Sequence, residues 1–144
     1  MKNKLLPVLA GMAALIVFMS VFVNCSTNYS GAGNKDRIEF IESFGWKVQT
    51  NPVEEVNLVL PSEYDDVYKE YNKLQKAAGM DIKPYLGKSV TRYTYIIENH
   101  RKTKDGKARA NLLVCGGNII AADVMVVDIG GFMHSVNKSE YVKK

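Results

Sequence analysis

The sequence predicts an α+β domain. It should hold an antiparallel sheet, a three-stranded C-terminal meander plus one or two N-terminal strands, with one long helix packed on it and a shorter N-terminal helix. Three observations carry this. Val90 to Asp128 is rich in β-branched and aromatic residues, in runs split by Lys104-Asp105-Gly106-Lys107 and by Gly116-Gly117. Ahead of it, Val67, Tyr71, Leu74 and Ala78 recur at helical spacing, and so do Ile38, Ile41 and Phe44.

The chain opens with Lys2 and Lys4, followed by an uncharged apolar run from Leu5 to Val23 and then by Cys25. Nineteen helical residues span about 28 Å, close to the roughly 30 Å hydrocarbon core of a bilayer. In lipid such a run must be helical, because unpaired backbone amides are too costly there. Residues 1–25 therefore read as a membrane anchor or signal segment. The two lysines stay cytoplasmic and the remainder is expected outside the cytoplasm. Three fates fit: an uncleaved single span, lipid attachment at Cys25, or cleavage and secretion. Phe22 and Asn24 fit poorly the Leu and small residue that usually precede a lipidated cysteine.

Residues 26–34 are polar and contain glycine, as a spacer would, and a single domain is expected over 35–135 with a tail at 136–144. The first helix should run from about Lys35 and stop at Gly45. A short strand is expected over Trp46 to Gln49, a turn at Asn51-Pro52, and a second strand from Glu55 to Leu60. Ser62 and Asp65 have the spacing of a capping box at the start of the long helix, which Gly79 ends. Asp81 to Leu86 reads as a turn or helical loop. Strands follow at Val90 to Asn99, Ala108 to Cys115 and Ile119 to Asp128, the last two joined by a tight hairpin at Gly116-Gly117.

Nineteen Lys and Arg against fifteen Asp and Glu give a net charge of +4, with two of the lysines ahead of the apolar run. That balance does not argue for nucleic acid. The basic cluster from Arg101 to Arg109 reads as a solvated hairpin connection, with contact to an anionic envelope polymer or lipid as the sharper alternative. Cys25 and Cys115 do not make a disulfide framework. Asn-x-Ser sequons at Asn24, Asn28 and Asn137 carry no weight.

No catalytic constellation emerges. His100 and His134 lack metal-ligand spacing, there is no G-x-S-x-G, and Gly116-Gly117-Asn118 lacks the helix and lysine of a phosphate loop. No cofactor or metal is expected. Cys115 reads as a small hydrophobe in a strand rather than a nucleophile. Tyr64, Tyr68 and Tyr71 share a helix side and Tyr93 and Tyr95 a strand face, which packing of that helix on that face would explain. Across the Gly116-Gly117 turn, strict alternation puts Leu113, Ile120 and Val124 on one face and Leu112, Val114, Ile119 and Met125 on the other. Both faces are apolar, so each should be covered. The long helix covers one; the first helix, the tail or a partner protein covers the other. Leu112, Val114, Ile119 and Met125 are thus a candidate interaction face.

Five stretches carry a resemblance: Arg37 to Trp46, Val67 to Gln75, Arg92 to Tyr95, Arg109 to Val114 and Gly131 to His134. They resemble a Gram-positive bacterial family catalogued as a domain of unknown function, number forty-eight thirty. The resemblance implies a short membrane-anchored or lipoprotein-like chain and supplies no activity, substrate or site residue. Two function classes stand: a non-enzymatic extracytoplasmic module that binds a protein or envelope partner, and a small cell-envelope enzyme whose site the sequence does not reveal. Oligomeric state is not legible.

Overall fold

A computed structural model describes residues 28–101 and 106–142. The apolar run, Cys25 and the first half of the Lys104 to Lys107 turn lie outside the described residues. Among those described, no helix is long and apolar enough to cross a membrane.

The order of elements is β1 (Tyr29–Ser30), α1 (Asn34–Ser43), β2 (Glu54–Val59), α2 (Asp66–Lys76), a 3-10 turn (Lys83–Tyr85), β3 (Ser89–Ile96), β4 (Ala108–Cys115), β5 (Asn118–Val126), β6 (Met133–Ser135) and α3 (Lys138–Val142). The strands form one antiparallel sheet in the order β1-β5-β4-β3-β2, with β6 also paired to β5. The expected α+β architecture is therefore present, with β3, β4 and β5 as its meander. Gly116 and Gly117 adopt φ of 55° and 80°, the pair of positive values that a two-residue hairpin turn of this hand requires.

The outer edge of β5 is covered in two pieces. Tyr29 and Ser30 pair with Ile119 and Asn118, and β6 pairs with Asp123 to Met125. Between them, the Ala122 N–H is met by the side chain of Gln75 from α2, whose Oε1 accepts at 2.7 Å. Residues on both sides of the expected 35–135 bounds thus belong to the sheet and its packing. Val136, at the start of the expected tail, is fully buried, and its carbonyl accepts from Trp46 Nε1 at 2.6 Å.

Local expectations fail in instructive places. The helix α2 is capped by Asp65, whose carboxylate accepts from the Tyr68 N–H at 2.9 Å, and not by Ser62. A carboxylate directly before the helix is favoured by the positive end of the helix dipole as well as by the hydrogen bond. The expected strand at Trp46 to Gln49 reduces to a single bridge, Val48 to Ile97. Gly45, at φ 86°, ends α1 as expected.

Each face of the sheet has its own core. On one, α1 and the C-terminal segment cover Tyr95, Ala110, Leu112, Val114, Ile119 and Val124, using Phe40, Ile41, Trp46 and Val136. On the other, α2 and the 3-10 turn approach Leu58, Leu60, Val90, Leu113, Ile120 and Ala121. Tyr68 and Tyr71 belong to the second core and Tyr93 and Tyr95 to the first, so the tyrosines do not pack together.

The two apolar faces of the hairpin differ from strict alternation after residue 119. Val114 pairs with Ile119 but Leu113 with Ala121, so Ile120 is an inserted bulge residue. A bulge sets two residues against one and reverses the parity of all that follow. Val124 therefore joins Leu112 under α1, and Met125 turns to the α2 side.

Candidate groove between the second helix and the sheet

The helix α2 does not close down on its face of the sheet. Its residues Val67, Tyr68, Glu70, Tyr71 and Leu74 form one wall of a groove of about 600 Å³. Leu58 of β2, Leu60 just after it, Leu113 of β4, Met125 of β5 and Met133 of β6 supply most of the remaining apolar lining. Val67 and Met133, at 71% and 43% exposed, lie open to solvent. This volume is in the range of pockets that enclose small molecules.

The floor of the groove is polar, and strand register explains why. Glu54 pairs with Thr94, Thr94 with Asn111, Asn111 with Asp123, and Asp123 with Ser135. One rung of the ladder thus carries a polar residue on every strand from β2 to β6, all pointing to the α2 side. Along it the Thr94 hydroxyl donates to Asn111 Oδ1 at 2.9 Å, and Asn111 Nδ2 donates to Asp123 Oδ1 at 2.9 Å. From above, the Tyr71 hydroxyl donates to Asp123 Oδ2 at 3.0 Å. Arg92, two residues before Thr94 on β3, donates to Glu54 Oε2 at 2.8 Å.

Asp123 is 3% exposed. Burial pushes its carboxyl up to about 6, although hydrogen bonds from Asn111 and Tyr71 and the nearby Arg92 charge act the other way. Tyr71 is held well above the usual phenol value, first by burial and then by the Asp123 charge. A raised carboxylate at the floor of an apolar groove is the kind of group that marks a site.

The four residues singled out in the sequence as an interaction face do not form one surface. Leu112, Val114 and Ile119 are 0%, 9% and 4% exposed, inside the core under α1. Met125 alone lines the groove, on the opposite face. Cys115 is a half-buried free thiol packed beside the α2-side core.

The two histidines come together across 34 residues of sequence. Their Nε2 atoms are 3.2 Å apart, and His134 Nδ1 lies 2.7 Å from the Ser135 carbonyl. A carbonyl only accepts, so Nδ1 of His134 carries a proton and, when neutral, its Nε2 accepts from His100 Nε2–H. Trp46 and Tyr141 pack against this pair. Among the described residues no group of three His, Cys, Asp or Glu is placed to hold a metal ion.

Sequence reasoning missed the groove's floor, yet a signal was present. Asp123 is the single charged residue in the nine residues of β5, and Asn111 interrupts an apolar run in β4. Polar groups in otherwise apolar strands need partners, and two such groups on adjacent strands can supply each other.

Neither a curated protein nor a solved structure matches the chain. A family model described as domain of unknown function DUF4830 matches residues 40–124, more than half of the chain and the stretch that holds both α2 and Asp123. The chain belongs to the DUF4830 family.

Proposed function

We propose that this protein is a non-enzymatic binding module, held at the outer side of a cell membrane by its N-terminal segment, whose groove takes a small, largely apolar ligand. The observation that carries this reading is the 600 Å³ groove itself, walled by leucine, valine and methionine side chains. Met125 and Met133 favour it further, since flexible thioether side chains adapt to ligands of different shape. Tethering rests on the Leu5 to Val23 run behind two lysines, and Cys25 offers lipid attachment as a second means.

The alternative, a small envelope enzyme, would draw on Asp123 as its acid or base. Both oxygens of that carboxylate are already engaged, by Tyr71 and by Asn111, which favours the binding reading. The test uses the full chain in detergent with ¹³C-labelled methionine methyls, titrated with 1-hexanol. Met125 and Met133 resonances should move in a saturable way while that of Met80, buried in the other core, stays. Filling the groove by Val67→Trp should abolish the shifts. Uniform shifts, or none, would overturn the reading.

A further inference from the structure

The polarity of the groove's floor narrows the ligand. Asp123 is the buried charged group at the floor, and it is held by two neutral donors, Tyr71 and Asn111. The cation nearest to it in the groove, Arg92, is bonded to Glu54 at 2.8 Å. The other charged lining residue, Glu70, is acidic and is paired to Lys73 on the solvent side of α2. The floor thus presents two carboxylates to one guanidinium. A buried carboxylate without its own cation is costly, and a ligand that brings the cation recovers that cost on binding.

Resting on the reading of the groove as a ligand site, the geometry points to a small cationic amphiphile as the occupant: an aliphatic or aromatic body with a primary ammonium group that reaches Asp123. The volume suits a small molecule rather than an extended peptide, whose backbone would need a longer trough. An ammonium donates up to three hydrogen bonds, and Asp123 has lone pairs beyond those that accept from Tyr71 and Asn111. The apolar body lies against Leu58, Leu113 and Met125. Anionic amphiphiles are repelled by Asp123 and Glu70; Arg92 gives Nη2 to Glu54, and its buried Nε, which has no partner, is the one group that would favour them.

The experiment compares hexylamine, 1-hexanol and hexanoate on the full chain in detergent, read by the Met125 and Met133 methyl shifts. Hexylamine is expected to bind at least tenfold more tightly than either of the others at pH 7.5. That preference should fall to less than about threefold at pH 5. The other titratable groups around the floor are Glu54, Glu70, Arg92 and Tyr71, the last held far above that interval. In the Asp123→Asn variant the preference should vanish while hexanol binding persists. Hexanol binding that persists in this variant also shows that its groove is still formed. Equal binding of all three would overturn the ligand class and leave the groove reading intact. Tighter binding of hexanoate would overturn it in favour of Arg92 as anchor. No binding of any of the three would overturn both.

Discussion

A carboxylate buried at the floor of the groove, with its nearest cation tied to Glu54, makes the folded state take up a proton more readily than the unfolded chain does. The ordinary Asp value of 3.8 rises to about 6 in the fold. Between those values the native protein binds more protons, so this group's contribution falls as pH rises from about 4 to about 6. Two units correspond to about 3 kcal/mol. Asp123→Asn removes the ionisation and still offers Tyr71 an acceptor. Urea melts should therefore show the variant and the native chain alike at pH 4, with the variant more stable by about 1–3 kcal/mol at pH 7.5. An unchanged difference between the two pH values would contradict this account. Arg37 shows the opposite strategy: its buried guanidinium stacks on Tyr93 at 3.7 Å, donates to Tyr95 at 2.8 Å and to the Gly31 carbonyl at 2.7 Å. Lysine cannot reproduce that planar set, so Arg37→Lys should cost about 1–3 kcal/mol in the same melts. Neither role was legible in the sequence. Asp123 and Arg37 look like ordinary charged residues until strand register and helix packing bury them.

Among the elements, those with strong local signals were the legible ones. Val67, Tyr71 and Leu74 marked α2 by their period, and Gly116-Gly117 marked the hairpin by its chemistry. What escaped was set by tertiary context. Tyr29–Ser30 becomes a strand because β5 offers an open edge, and nothing in a two-residue segment of a polar stretch announces that. The Ile120 bulge escaped for a similar reason, since Ile119, Ile120 and Ala121 are all apolar and conceal the parity change. The Asp65 cap can be tested directly: Asp65→Ala should destabilise by about 1 kcal/mol, whereas Ser62→Ala should be nearly silent. The strand β1 yields a sharper comparison. A chain beginning at Asn28 retains the pairing to Ile119 and the Arg37 contact to Gly31. One beginning at Asn34 loses both and bares the β5 edge. Size-exclusion chromatography should find the longer form monodisperse and the shorter one less stable and more prone to associate. Equal behaviour would show that β1 adds nothing to the fold.

At the scale of the whole molecule, the expected membrane attachment predicts that cell fractionation recovers the full-length chain in the membrane pellet, resistant to high salt. A shortened form free in the medium would instead identify the first 25 residues as a cleaved signal. The sheet faces a folding problem of its own. β4 and β5 are so largely apolar that sliding one past the other by two residues would keep each side chain on its original face. The row from Glu54 through Thr94 and Asn111 to Asp123 removes that freedom. A two-residue slip of β5 would set Asp123 opposite Arg109 or Leu113 instead of Asn111, and would strand an amide and a carboxylate in the interior. Each stranded group costs about 1–3 kcal/mol, more for the charge. Replacing Thr94, Asn111 and Asp123 together by Val, Leu and Leu should then give a chain that is still rich in strand. Its amide NMR spectrum, however, should show several sets of peaks in slow exchange, one for each pairing that the polar row had forbidden.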